Sequence, residues 1–454
     1  MSTEGGGDTD RRSEPQPTTG SAGSPAAAPV KPGRFGGLGA DYWKLWSGSV
    51  ISNLGDGISS IAYPWLASTL TRNPALIAGV AVATRLPWLL VTLPAGALID
   101  RSDRRTIMVA ANLARGAIAA AVGLAVLTGN MTIPLLYVTA LALGTAEVLY
   151  DNAGQTILPR LVPKERLERA NGNLWGAEMV LNQFVGPPVG GILIGVALAV
   201  PFLIDGLTAV VSAGLIFLIA GAFRAQEADG VDVVAETRRS MGAEIVEGVK
   251  WLWANPLLRT LAIFLGVMNG ITTASFATFV LFVQEILGLD STGFGILMTA
   301  SAIGGVLGSQ VAPAITKRIG PGPSLYVALG AGVVTGAVTG STSVAVVVGA
   351  MSALFMFTAV MWNIITVSLR QTIIPDHLLG RVNSVYRFFG WGMMPIGAAL
   401  GGAVVTWLEP ALGRELALRS PWFLSAAVHL VLLAFAFGRL TTANIEATKT
   451  AAAR

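Results

Sequence analysis

Residues 75–105 read ALIAGVAVATRLPWLLVTLPAGALIDRSDRR. Up to Ile99 the run is apolar except for Thr84, Arg85 and Thr92, and it is long enough to cross the hydrocarbon core of a bilayer as a helix. Asp100 ends it, and Arg101, Arg104 and Arg105 follow at once. A membrane helix that stops on a basic cluster stops on the cytoplasmic side.

The same alternation fills the chain. Its 454 residues are 53% hydrophobic and only 12% charged, with a mean hydropathy of +0.65. That charge content is about half of the roughly 25% of a soluble domain, which excludes the soluble class. Apolar stretches are expected to form twelve transmembrane helices near 44–70, 75–99, 106–128, 132–157, 171–198, 200–222, 257–287, 292–316, 322–340, 343–369, 381–408 and 420–438. All must be helical, because lipid cannot satisfy unpaired backbone groups, and no stretch alternates like a barrel strand. The fold class is therefore an all-α polytopic membrane protein.

Basic residues set the orientation. With both termini cytoplasmic, the outer loops hold only Arg72, Arg414 and Arg419, and the membrane interior holds Arg85 and Arg115. The other 25 of the 30 Lys and Arg lie at the cytoplasmic face or on the tails. The net charge of +4 then needs no nucleic-acid partner, and the protein is expected in the cytoplasmic membrane. Residues 1–40 read as a disordered cytoplasmic tail, with no apolar run behind Arg11 and Arg12 to make a signal peptide. Residues 41–222 and 257–440 read as two six-helix bundles. Between them, 223–256 is a cytoplasmic linker carrying an interfacial helix, and 441–454 is a second tail.

The two bundles read as copies. Pro163, Leu167, Arg169 and Asn171 recur as Pro375, Leu379, Arg381 and Asn383 at an offset of 212, and Asp56–Ser60 (DGISS) aligns with Asn269–Thr273 (NGITT) at 213. Gln155–Pro159 (QTILP) resembles Gln371–Pro375 (QTIIP). Two like bundles that rock about a site at the bilayer midplane are what alternating access needs.

These segments carry a family resemblance. Pro94–Arg105 (PAGALIDRSDRR) resembles the loop signature of the major facilitator superfamily, and Gly186–Gly191 (GPPVGG) resembles the tail of its drug/proton antiporter motif. Leu158–Asn171, Phe202–Asp205, Gly380–Ser384 and Pro395–Gly397 are similar to the branch containing macrolide-efflux and enterobactin or other siderophore exporters. Asn173 and Asn182 stand where that motif has upstream glycines, and the fourth-span arginine of many antiporters is missing. The resemblance implies a monomeric fold of two pseudo-symmetric six-helix bundles. It also implies a cytoplasmic gate of Gly96, Asp100, Arg101, Arg104 and Arg105 in which Asp100 reaches span eleven, where Arg387 is the candidate partner. Asp100 as a plain surface carboxylate is the alternative. Gly96 would permit close helix approach, and the three arginines would fix topology and anchor anionic lipid. In Gly186, Pro187, Gly190 and Gly191, lost donors and side chains predict a kinked helix with a flat packing face, serving tight packing, leak prevention or both.

Charges inside the spans point to the chemistry, since each costs about 2.5 kcal/mol or more at mid-bilayer unless paired or hydrated. Depth at about 1.5 Å per residue brings Asp56 level with Arg85, as a static or a titrating pair. Arg115 lies at the depth of Asp151, with Glu147 one turn above it and Glu178 in span five. Asp56, Glu147 and Asp151 form the candidate proton-linked set. Asp205 is expected to be structural on a peripheral span, and neither His377 nor His429 is placed for a relay. Phe276, Phe279 and Trp362 are candidates for an aromatic substrate surface in the second half.

The expected function is secondary active efflux of a hydrophobic or amphipathic small molecule in exchange for protons. Uptake or facilitated transport of a metabolite is the alternative, and a non-transporting sensor is a further one. No cysteine and only two histidines exclude thiolate chemistry and disulfides, and no metal, cofactor or enzymatic activity is expected. No phosphate-binding Gly-Lys-Ser/Thr loop is present to support ATP-driven transport.

Overall fold

The computed structural model describes residues 37–221, 223 and 241–452, so most of the expected N-terminal tail and much of the linker lie outside the described residues. Every described element is helical. In the first part of the chain these are α1 (Ala40–Leu70), α2 (Pro74–Leu90), α3 (Thr92–Arg101), α4 (Arg104–Leu127), α5 (Ile133–Leu161), α6 (Leu167–Glu178), α7 (Gly186–Val196) and α8 (Val200–Phe217). After α9 (Met241–Ala254) come α10 (Pro256–Ala277), α11 (Phe279–Glu285), α12 (Ser291–Ile319), α13 (Pro321–Ser341), α14 (Ala345–Ile373), α15 (Asp376–Ala436) and α16 (Thr442–Ala452). Among the described residues, nine helices are long and apolar enough to cross a membrane. This is a multi-pass membrane protein.

Helix starts are set locally. Asn73 accepts the Ala75 and Leu76 N–H groups ahead of α2, Asn255 accepts that of Leu258 at 3.1 Å, and Asp290 that of Gly293 at 2.8 Å. Each satisfies backbone donors that the first turn leaves open, and Pro74 and Pro256 stand where no N–H is needed. α15 holds one non-helical residue, Gly413, at φ 79° and ψ 163°, a conformation that costs glycine nothing and turns the chain back.

Three apolar stretches are interrupted, two of them where the sequence alone suggests unbroken spans and the third beside the Gly-Pro run that predicts a kink. α2 gives way to α3 at Val91, between Pro87 and Pro94, and α10 gives way to α11 at Thr278. Between α6 and α7, residues Met179–Val185 form a π-helix, with the Gly186 N–H reaching the Leu181 carbonyl. Pro187 and Pro188 explain it. They offer no N–H to the preceding turn, and their rings press on its carbonyls, so the helix widens.

Helices α1 to α8 pack chiefly among themselves and α10 to α15 do the same, with matching partners. α1 lies on α8 as α10 lies on α15, and α4 lies on α8 and α5 as α13 lies on α15 and α14. In lipid, burial does not drive helix association, so close backbone contact through small residues carries it. A Cβ on Gly304 would overlap the Ala353 carbonyl, and one on Gly397 or Gly401 would overlap the carbonyl of Gly270 or Ala274. Two seams join the groups: α2 on α15, and α7 on α12.

Outside the membrane, Asp103 caps α4. It accepts the Thr106 N–H at 3.0 Å and the Phe223 N–H at 2.8 Å. Partial burial pushes its carboxyl up, but the two backbone donors and Arg105 outweigh that and hold it below the ordinary 3.8. Its contribution is thus present above pH 3.8 and disappears as pH falls through the lower folded value. Asp103→Ala is expected to cost about 0.5–2 kcal/mol at pH 7, with the difference from wild type shrinking near pH 3. Thermal unfolding of the two purified proteins at both pH values measures it.

Candidate functional site

A buried cation organises the first group of helices. Arg115 of α4 is 5% exposed and is ion-paired with Asp56 of α1. It also donates to Ser52 Oγ at 3.0 Å and to Asn112 Oδ1 at 3.3 Å, and lies 5.9 Å from the centre of the Tyr150 ring of α5. Asn112 passes a hydrogen bond to Ser212 Oγ of α8 at 2.8 Å. Ser59 donates to Asp205 Oδ2 at 2.6 Å, and Asp205 is itself buried within electrostatic reach of Arg115.

Helical spacing makes this possible. Ser52, Asp56 and Ser59 share one face of α1, Asn112 and Arg115 one face of α4, and Asp205 and Ser212 one face of α8. Glycines bring the faces together. A Cβ on Gly55 would meet Thr208 and Asp205, and one on Gly116 would sit 3.1 Å from the Gly206 carbonyl. The result is a guanidinium whose donors are taken by carboxylate, amide and hydroxyl groups, which offsets the cost of a charge in lipid.

The partner differs from the depth-based expectation. Asp56 binds Arg115, while Arg85 is exposed and has no ion-pair partner among the described residues. Asp205 is likewise not peripheral, because the inner face of α8 turns it toward α1 and α4. Ser52, Ser59, Asn112, Tyr150 and Ser212 escaped the sequence reading. Their shared helical faces were the available signal.

Beside this network lie more carboxylates. Asp151 of α5 is within electrostatic reach of Glu147, Glu178 and Arg115, and Glu178 within reach of Glu147. Glu147 and Asp151 are half-buried, and Glu178 is exposed. Arg115 therefore faces Asp56 and Asp205 within the packed network and Asp151 at its margin, so a cation in one position has several anions to choose from.

The chain connections after α1, α7, α11 and α13 and the stretch after the Gly413 turn come together, with Arg414 on Arg72 and Glu285, Ser291 on Gly191, and Arg419 on Gly340 and Thr342. There the two groups of helices are tied together. Arg414 donates to both Glu285 oxygens at 2.8 and 3.0 Å, to Glu409 at 3.0 Å, and to the Arg72 carbonyl across the seam at 2.9 Å. Arg72 hydrogen-bonds Gln284, which donates to Ser68 Oγ at 2.9 Å. Nearby, Ser291 donates to the Gly191 carbonyl at 2.8 Å, and the Gly191 and Gly295 positions abut Ser291 and Pro187 with no room for a Cβ. Gly186 and Gly190 abut Gly57 and Ile58 in the same way. The Gly-Pro run is thus a flat plate between α1 and α12.

The remaining candidates fall elsewhere. Among the described residues no heavy atom stands within 4 Å of a Cβ built on Gly96, and none of them makes the close approach expected there. The Asp100 side chain lies outside the described residues, while Arg387 is exposed and lies over the Trp391 ring at 4.8 Å. Arg101 is exposed, but Arg104 is buried and Arg105 donates to the Ile219 carbonyl at 2.6 Å, so the pair ties α4 to the end of α8 rather than reaching for lipid. Trp362 is 1% exposed and stacks on Phe264, and Phe279 is buried among Phe276, Phe282, Phe294 and Trp422. Both serve packing; Phe276 alone of the three is exposed, at the edge of that cluster. His429 is buried, with its ring Nδ1 at 2.8 Å from the Ser425 carbonyl.

Two matching groups of helices, the first built around a buried ionic network, make up a multi-pass membrane protein. Residues 45–398 match the Major Facilitator Superfamily, and the chain belongs to that family. It is 28% identical over 410 residues to a multidrug efflux pump Tap of Mycolicibacterium fortuitum, covering 85% of this chain and 93% of the relative. A crystal structure of a mutant of the nucleoside transporter NupG superposes with a TM-score of 0.70 at 13% identity, over 88% of this chain and all of that one. A bacterial homologue of the iron transporter ferroportin, in an inward-facing state, gives 0.67 at 17% identity over 88% and 98%. At these identities the structures speak for the fold alone.

Proposed function

We propose that this protein is a proton-coupled exporter of hydrophobic or amphipathic small molecules, with twelve transmembrane segments and both termini in the cytoplasm. In this reading α2 with α3, the run from Lys164 to Val196, and α10 with α11 each count as one segment, and α15 counts as two, divided at Gly413. The end tied together by Arg414 then faces outward. The full-length relative named as a multidrug efflux pump supports export as the direction.

One observation carries the coupling: the ion pair of Arg115 with Asp56, set beside Asp205 and Asp151 and confined to the first six segments. A proton arriving on Asp56 removes the charge that holds Arg115. The guanidinium then turns to another carboxylate, and α1 is free to shift against α4. Gly55 and Gly57 on α1 bear directly on α8 and on the helix ahead of α7, so such a shift is transmitted to the plate that meets α12.

Asp56→Asn keeps the size and loses the charge. The variant is expected to insert and fold, because the amide oxygen still accepts from Arg115 and Asp205 stays within electrostatic reach of it, yet to lose most gradient-driven efflux, because an amide takes up no proton at this position. Accumulation of ethidium in inside-out vesicles with an imposed pH gradient, acid inside, reads this. Wild-type transport that ignores the gradient sinks proton coupling, and full active transport by Asp56→Asn sinks the assignment of Asp56.

A further inference from the structure

A groove of about 580 Å³ runs between α10 and the last part of α15 on the outside of the bundle. Its walls are Ile263, Phe264 and Val267 on one side and Val428, Val431 and Phe435 on the other, and Arg439 closes one end. That end is polar. Thr260 lines it, Arg259 precedes Thr260, and the Asn255-capped start of α10 leaves the positive end of the helix dipole nearby.

The two arginines are under-used. Arg439 donates one hydrogen bond, to the Phe435 carbonyl at 3.3 Å, and Arg259 donates one, to the Trp253 carbonyl at 3.1 Å. Each guanidinium has five N–H donors, and among the described residues no other protein acceptor is assigned to either. An open apolar channel ending at Arg439, with Arg259 beside its lining residue Thr260 on α10, matches an acyl chain that ends in a phosphate. Guanidinium binds phosphate in a bidentate fork, which a zwitterionic headgroup with its own cation competes for less well.

We propose that this groove binds one anionic phospholipid, its chain along the α10–α15 walls and its phosphate on Arg439 and Arg259. The proposal rests on the bundle being embedded in a membrane and not on what it transports. On the orientation proposed above, the phosphate lies in the cytoplasmic leaflet, which is the anionic one.

Native mass spectrometry of the detergent-purified full-length protein, titrated with dioleoyl phosphatidylglycerol or dioleoyl phosphatidylcholine, tests it. Wild type is expected to retain one phosphatidylglycerol in preference to phosphatidylcholine. The double variant Arg439→Ala with Arg259→Ala should lower that preference roughly tenfold, the scale of a lost charge-assisted contact. Val431→Trp, which fills the groove from an exposed position, should remove the retained lipid. Lys317→Ala, an exposed cation on α12, should leave the preference intact. Equal retention of both lipids by wild type overturns the proposal, as does an unchanged preference in the double variant or an equal loss in Lys317→Ala. Transport is not read in any arm, so failure here is separate from failure of the export reading.

Discussion

Replacing Arg115 with alanine is expected to abolish transport and to cost the folded bundle about 3–5 kcal/mol, the usual penalty for stripping one partner from a buried ion pair. The size follows from what is left behind. Asp56 loses its counter-ion, Asp205 loses the nearest cation, and Ser52 and Asn112 lose a donor, all between helices closed against each other through glycine. Arg115→Lys should fold better than Arg115→Ala and still transport poorly. An ammonium is a compact charge without the fork that reaches Asp56, Ser52 and Asn112 together. Combining Arg115→Ala with Asp56→Asn should restore part of the stability lost by Arg115→Ala, because the uncompensated charge is gone, and should restore no transport. Thermal unfolding of the four purified proteins closes the cycle. Wild-type transport by Arg115→Ala would remove the network from the mechanism.

The second large effect is steric. Gly191→Leu places a side chain where the Ser291 carbonyl now stands, in the seam between α7 and α12. Overpacking of this kind costs about 1–3 kcal/mol, and here it is charged only to the form in which that seam is shut. The shut form should therefore be depleted by a factor of roughly 5 to 150 against the open one. Because the chain contains no cysteine, a single engineered one reports without background. Ser68, 2% exposed and hydrogen-bonded by Gln284, suits this purpose. With Ser68→Cys as the reporter, Gly191→Leu should raise labelling by a membrane-impermeant maleimide by that factor and depress transport. Unchanged labelling with normal transport would mean that this seam does not open.

Much of this was legible in the residues and some was not. Long apolar runs divided by short polar breaks announce membrane helices, since nothing else satisfies the backbone in lipid. Individual contacts follow another logic. Counting residues places Asp56 and Arg85 at one depth, but says nothing about which way each points around its helix or which helix stands beside it. That choice is made by Gly55, Gly116 and Gly206, which let α1, α4 and α8 close up and hand Asp56 to Arg115. Aromatic residues carry the same ambiguity. Trp362 has the composition of a binding-surface residue and the position of a core one, stacked on Phe264. Asp205 was misplaced because a helix at the rim of a bundle still has an inner face. Arg104 and Arg105 look like lipid anchors until the end of α8 is seen within their reach.

The π-helix at Met179–Val185 has a mechanical consequence. Compared with an uninterrupted α-helix it holds one surplus residue, and each residue accounts for about 100° of rotation. It therefore acts as a phase shifter, letting Glu178 face one direction and the Gly186–Gly191 plate another on what is nominally a single rod. Deleting one residue, Leu181 for instance, would leave a sound helix whose two ends are out of step by roughly a quarter-turn. An extra residue that a sequence comparison would score as an insertion is, in this rod, the setting that aims one end relative to the other.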